Sequence, residues 1–535
     1  MIKHVAVLFA LSAAISTTSA AEPVRQLASS TGSSEPTTRV IVKYKTGVAV
    51  SLSNQGPGGA GVFEVAQSDS EAFAEQMMNR PEVEDVAVDV IARNPPLPQA
   101  PAGHPMVNSA GFLPTGAPSD PGFNQQRSWL EPTYTSLGYQ DILNAYLTTM
   151  RERSIRVGVL DSGFHPVADL DWSEGYNLSV IGAGVYNPDF YENTWAPNCT
   201  SPHGNAVAGI IGAKANNGVG IAGVTDAELV AARVLECDSG SLYDASIGIR
   251  WLAGDPTIEG VPAISEPVQI MNASLGAQID YCPFYVQEAI NYAHERGILV
   301  IVAAGNENID ASLVAPANCE NVITVGSVNM QGDGSGFSNF GSAVDITALG
   351  EMVGSLSVTD VTSQWYGTSF AAPIVAGISA LMMQANPALD SEQVANTLVS
   401  TARSQVNPTK GLGVIADAGR ALGTVNAQLN ANRPDVRLAL NSVSRCNEQA
   451  YLLNEPAGMD FRAAYEVSAG NIFRNAATER FAVFKTNSEG VKELVKLSDE
   501  DTFILNGVDI ENDQVWFDVC DENALNCRFG QSLPI

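Results

Sequence analysis

The 535-residue sequence predicts an α/β protein. Its centre should be a mainly parallel, doubly wound sheet, with a small α+β unit before it and a small, mostly β domain after it. Three observations carry this. Apolar runs at 156–160, 229–235, 268–272, 298–304 and 322–328 alternate with helical patterns at 204–215, 243–253, 286–296 and 369–384. Apolar strands between helices imply a parallel sheet covered on both faces. The runs at 156–160 and 298–304 end in small and polar residues, and open α/β sheets place ligands at the carboxyl ends of their strands. Finally, short alternating stretches such as Arg480–Phe484 and Gln514–Val519 lie between turn residues near the carboxyl end, which reads as antiparallel β structure.

In chain order, a basic start (Met1–His4), an apolar run (Val5–Ile15) and small residues up to Ala21 form a signal peptide over 1–21. The run is shorter than the roughly 20 residues that span a bilayer, and no later membrane span is expected. Secretion follows: extracellular, or periplasmic in transit. Residues 37–92 form the small unit. Val40, Val42 and Tyr44 alternate as a strand, and a capping box (Ser68 and Glu71) opens a helix with Phe73 and Met77 on one face. Pro81 ends that helix, and Val86–Val90 is a second strand. Residues 93–124, rich in Pro, Gly and Ala, read as a linker. The α/β domain takes 125–425. The tail, 427–535, shows neither a repeat nor a catalytic constellation.

Lys and Arg total 28 against 58 Asp and Glu, a net charge of −30. That argues against a nucleic-acid-binding surface, which needs a basic face, and suits a soluble exported protein. None of the seven cysteines forms a C-x-x-C pair, so disulfides rather than zinc are expected in an exported chain. Their placement pairs Cys199 with Cys237 and Cys282 with Cys319, although four cysteines allow three connectivities. Cys446, Cys520 and Cys527 in the tail leave one cysteine over.

Chemistry concentrates in four segments. Gly367-Thr368-Ser369, running on to Pro373, opens an apolar helical pattern and exposes a serine where free backbone N–H groups face outward. Val157–Leu160 ends in Asp161-Ser162-Gly163, a carboxylate at a strand tip. Ser201-Pro202-His203-Gly204 sets a histidine at the mouth of a small-residue helix. A serine hydroxyl needs a neutral imidazole to take its proton, and the imidazole needs a carboxylate to hold its tautomer. Of the five histidines (His4, His104, His165, His203, His294), only His203 has that helix opening. Asn306, after the strand 298–304, offers a side-chain N–H₂ for an oxyanion.

These segments, in the order Asp, His, Ser, resemble the subtilisin-like serine peptidases, the subtilase family. The matching residues are Val157–Gly163, His203-Gly204 with Val207–Gly209, Asn272–Gly276, Ala303–Asn306 and Gly367–Pro373, within about 125–425. The sequence departs at Asn205-Ala206, where the family has Thr then His, and at Phe370, where it has Met. The resemblance implies a subtilisin-like sheet with Asp161, His203, Ser369 and Asn306 as the catalytic residues. It implies that 37–92 is a ferredoxin-like inhibitory propeptide, the chain being a self-processing zymogen. An extended peptide would be clamped between Ser239-Gly240-Ser241 and Ser274-Leu275-Gly276, with Ala303-Ala304-Gly305 beside it. A structural calcium would take Asp169, Asn217 and the carbonyls of Ala215, Val219 and Ile221; an Asn-Gly turn without metal is the competing reading. Catalysis itself needs no cofactor.

The expected function is a secreted serine endopeptidase, monomeric, acting on polypeptides. The alternative is a catalytically silent subtilase scaffold serving as a binding or adhesion module.

Overall fold

The computed structural model describes residues 36–46, 56–95, 118–123, 126, 155–179, 186–191, 201–360, 363–404, 411–422 and 424–425, with seven strands in the tail. The leader 1–21, most of the linker, Cys199 and Cys446 lie outside the described residues.

The amino-terminal unit has β1 (Thr37–Tyr44), β2 (Gly61–Ala66), α1 (Ser70–Met78) and β3 (Val83–Val88), followed by β4 (Ile91–Arg93). β1 is central in an antiparallel sheet of order β2-β1-β3. Val40 and Val42 point to the helix side and are buried with Val65, Met77 and Val83, while Phe73 packs against them. The capping box does not form. Gln67–Asp69 make a 3₁₀ turn first, so the helix starts at Ser70, whose hydroxyl bonds back to the Gln67 carbonyl at 2.9 Å. β4 straddles the expected boundary between this unit and the linker, because its partner lies elsewhere in the protein.

The large sheet draws on β5 (Arg156–Asp161), β6 (Trp172–Asn177), β7 (Glu228–Arg233), β10 (Ile270–Ala273), β12 (Leu299–Ala303), β14 (Ile323–Val328), β15 (Ile346–Leu349), β18 (Arg403–Ser404) and β19 (Val414–Ile415). Its order is β18-β19-β15-β14-β12-β10-β5-β7-β6. Every pairing is parallel except that of the β18 edge. Strand residues alternate between faces, and here both faces are covered. Val157, Val159, Leu299 and Ile301 join one core with α2 (His203–Gly212), α5 (Thr368–Ala385) and α6 (Ser391–Thr401). Leu160, Val300 and Val302 join the other with α3 (Leu242–Leu252) and α4 (Phe284–His294). This explains why the strands read as continuous apolar runs.

The short pairs β8 (Leu235–Glu236) with β9 (Ser239–Ser241), β11 (Ala277–Gln278) with β13 (Val314–Ala315), and β16 (Val353–Ser355) with β17 (Ser363–Trp365) are antiparallel and lie outside the large sheet. Among the described residues, only α5 is long and apolar enough to cross a membrane, and it is buried in the core. The tail strands are β20 (Ser442–Arg445), β21 (Tyr465–Ser468), β22 (Arg480–Thr486), β23 (Lys492–Ser498), β24 (Thr502–Leu505), β25 (Gln514–Cys520) and β26 (Cys527–Ser532). They form antiparallel sheets of order β20-β21-β24 and β23-β22-β25-β26.

Candidate active site

α5 starts on a glycine for a geometric reason. Gly367 has φ +143°, outside the range of ordinary residues. A Cβ there would also stand 3.0 Å from the Asn306 side-chain nitrogen. Ser369 follows in the first turn, where helix N–H groups lack intrahelical partners, but contrary to the expected exposure it is fully buried. Beneath it, Asn272 Nδ2 donates to Ser274 Oγ at 3.0 Å, and Ser274 Oγ donates to the Ser369 carbonyl at 2.9 Å.

His203 opens α2, and Gly204 lets that helix come down on the strand tip, since a Cβ at 204 would meet the Ser162 carbonyl at 2.1 Å. His203 Nδ1 lies 2.7 Å from Asp161 Oδ1, both side chains being buried. A carboxylate can only accept, so Nδ1 carries the proton and Nε2 is the basic nitrogen. His203 Nε2 and Ser369 Oγ are both buried and make no hydrogen bond among the described residues. The departure at Asn205 leaves the histidine seated. Asn205 points the other way, accepting from the His165 N–H at 3.0 Å and donating to the Ser357 carbonyl at 3.1 Å. Phe370 is buried, its ring 5.4 Å from that of His203 and 5.0 Å from that of Trp365.

Asn306 stands next to this pair. Its Oδ1 accepts from both the N–H and the hydroxyl of Thr368 at 2.9 Å, which aims the amide nitrogen away from Thr368. The Gly305 N–H donates to Thr368 Oγ1 at 3.1 Å. Ala303 and Ala304 are buried in the sheet below.

The two edges expected to clamp a peptide hold a segment of the chain itself. β4 pairs antiparallel with β9, Ala92 opposite Gly240, and on its other side Arg93 exchanges two backbone hydrogen bonds of 2.9 Å with Gly276. Asn94, a linker residue by sequence, is buried against the carboxylate. Its Nδ2 donates to Asp161 Oδ1 at 2.9 Å and to the Ser274 carbonyl at 3.1 Å, and Ser162 Oγ donates to its Oδ1 at 2.7 Å. Sequence reading missed Asn94 and Ser162. An Asn-Pro-Pro run after a strand is the signal that held the former. It also missed the dock behind them. Arg39 of β1 bonds Asp89 and Asp244, while Asp89 accepts from Ser241 Oγ at 2.7 Å and from the Tyr243 N–H at 3.1 Å.

Of the expected cation ligands, Asn217 and Ile221 meet the Asp169 carboxylate, both through N–H groups rather than oxygens. Asn217 Nδ2 donates to Asp169 Oδ1 and the Ile221 N–H to Oδ2, each at 2.8 Å, and Asn217 Oδ1 accepts from the Val219 N–H at 2.9 Å. Asp120, unforeseen, accepts from the N–H groups of Asn216, Asn217 and Gly218. Burial pushes Asp169 up to about 6 against those N–H donors, and the carboxylates of Asp120 and Asp360 push the same way. Among the described residues no group of three or more His, Cys, Asp and Glu is placed to share a metal. Buried negative charge and oxygen donors suit a hard cation, but Asn217 would have to turn its amide oxygen inward. Cys282 and Cys319 are joined, with a Cα separation of 5.1 Å.

This fold, with a histidine–aspartate pair and a helix-borne serine at the strand ends, defines a subtilase-like protein. A profile of the Subtilase family matches residues 152–429, and the chain belongs to that family. It is similar to an extracellular basic protease of Dichelobacter nodosus, 31% identical over 428 residues, covering 72% of this chain and 66% of the relative. An extracellular protease of Xanthomonas campestris is 38% identical over 266 residues, covering 48% of this chain and 42% of the relative. The chain thus spans less than two thirds of either relative's length. A solved structure of proteases from Pseudoalteromonas arctica aligns at TM-score 0.52 and 33% identity, over 58% of this chain and 99% of that one.

Proposed function

We propose that the protein is a secreted serine endopeptidase, working as a monomer on polypeptides and made as a self-processing zymogen. His203 Nε2 takes the proton of Ser369 Oγ, and the oxygen attacks the scissile carbonyl carbon. Asp161 holds the imidazole tautomer and stabilises the imidazolium. Asn306 Nδ2 and the Ser369 N–H receive the oxyanion. The imidazolium then protonates the leaving amine, and water, deprotonated by His203, releases the acyl group. The observation that carries this reading is the buried Asp161–His203 contact of 2.7 Å, with the two atoms that must exchange a proton, His203 Nε2 and Ser369 Oγ, free of other bonds among the described residues. Separation of those atoms is ordinary before substrate binds.

In the same reading, residues 37–92 are the propeptide and β4 blocks the cleft by strand addition. A structural calcium held by Asp169, Asn217 and the carbonyls of Ala215, Val219 and Ile221 would offset the buried carboxylate; its role is stability, not chemistry. A fluorophosphonate probe tests the central claim. Processed protein should be labelled at Ser369 and hydrolyse casein. A folded, processed protein that takes no label would instead be a silent scaffold.

A further inference from the structure

The amide of Asn94 makes three hydrogen bonds in the cleft. Its two N–H bonds go to Asp161 Oδ1 and the Ser274 carbonyl, and its oxygen accepts from Ser162 Oγ. A carboxylate in its place would face Asp161, and an apolar side chain would take these bonds from the Ser274 carbonyl and the Ser162 hydroxyl, while Asp161 Oδ1 would keep those from His203 Nδ1 and the Ser162 N–H. The strand register adds a second observation. Arg93 and Gly276 are a hydrogen-bonded pair, so in an antiparallel ladder the next such pair is residue 95 with Ser274. Residue 95 is a proline, buried, with no N–H to give. The Asn94 side chain supplies the bond that Pro95 cannot. The Ser274 hydroxyl donates to the Ser369 carbonyl, which sets Ser274 against the nucleophile's own residue, and we take the residue opposite Ser274 as the one whose carbonyl is attacked. The bond after it is Pro95–Pro96.

We infer that Asp161, Ser162 and the Ser274 carbonyl form a carboxamide-reading subsite, with Ser162 as its specificity residue. Substrates carrying Asn one residue before the residue whose carbonyl is attacked are preferred. The chain's own Asn94 fills that subsite, followed by a proline pair that keeps the strand from being cut where it sits. The nitrogen of Pro96 belongs to a ring, so the leaving amine of that bond would be a substituted, more crowded one than an ordinary residue gives. Self-processing therefore takes place at a bond other than Pro95–Pro96, once another segment has entered the cleft. This rests on the serine-peptidase reading.

The test has two arms. Processed wild-type enzyme is given fluorogenic peptides identical except for Asn, Asp or Ala at the subsite position. kcat/KM should be about ten- to hundredfold higher for Asn than for Ala, the scale of hydrogen bonds to a charged group, and lowest for Asp. Ser162→Ala should shrink the Asn-to-Ala ratio several-fold, whatever it does to the absolute rate. Equal rates for Asn and Ala would overturn the subsite. In the second arm the full-length chain is processed and its products sequenced from the amino end. No wild-type product should begin at Pro96, whereas the combined Pro95→Leu and Pro96→Ala variant should yield one beginning at position 96. A wild-type product beginning at Pro96 sinks the proline argument. So does a double variant that labels and digests casein yet stays intact there. Absence of fluorophosphonate labelling in processed wild type would take the peptidase reading down as well, which separates the two failures.

Discussion

Thr368 grips the side-chain oxygen of Asn306 twice, through its N–H and its hydroxyl, at 2.9 Å each. The residue before the nucleophile therefore aims the amide that would face the oxyanion. Thr368→Val keeps the shape and removes one of the two bonds. Turnover should fall about tenfold with KM nearly unchanged, because only an interaction made in the transition state is loosened. Thr368→Ser should restore most of it. A loss confined to KM would show that Thr368 shapes binding instead.

Removing the reacting groups themselves should cost more. Ser369→Ala should end hydrolysis and labelling while the protein stays folded, since one oxygen is lost. Asn306→Ala should still be labelled but lose about 10²–10³ in turnover. Native-rate casein cleavage by Ser369→Ala would dismiss the assignment.

The amino-terminal unit is held by a largely buried ion network in which Asp244 is fully buried and the Arg39 side chain is 14% exposed. Arg39→Met would strand two carboxylates, at about 3–5 kcal/mol where a buried pair is broken. In a Ser369→Ala background, which keeps the chain uncut by itself, residues 37–95 should then be digested much faster by added trypsin. An unchanged digestion rate would mean that the network adds nothing to docking.

Calcium should raise thermal stability by mass action, about 2.7 kcal/mol at a hundredfold excess over the dissociation constant. Chelation should lower the melting temperature, and Asp169→Asn should blunt that response while labelling at Ser369 persists. Metal-free protein whose melting curve ignores both calcium and chelator would leave the loop as an Asn-Gly turn.

In the tail, Cys520 stands directly opposite Cys527 in the β25–β26 register. Opposed residues of an antiparallel pair have Cα atoms about 4.5–5.5 Å apart, within disulfide range. Peptide mapping without reduction should recover a 520–527 bond and leave Cys446 as the odd cysteine. Recovery of Cys446 joined to either would contradict the register.

Sequence alone delivered the sheet's interior, because β5, β10, β12 and β14 are buried on both faces and so are apolar throughout. β6 was invisible: Trp172–Asn177 is a polar edge strand. β18 and β19, at two residues each, carry no periodicity to detect. Local chemistry announced Asp161, His203 and Ser369, since a strand tip and two helix mouths each leave a sequence trace. Asn94 left none of that kind. It acts through a fold-level pairing of β4 with β9, and the proline-rich composition around it reads as linker. The single cap predicted from Ser68 failed because a 3₁₀ turn competes locally for the same backbone groups.

Ser369 rides on a helix whose side chains are buried from Thr368 to Gln384. Segments so enclosed exchange their amides only when the whole core opens. Heat inactivation of the processed protein should therefore follow a single curve with loss of tertiary structure, with no inactive but folded species on the way. Under the proposed peptidase function, the first molecules to open would become food for those still closed, so inactivation should accelerate with concentration.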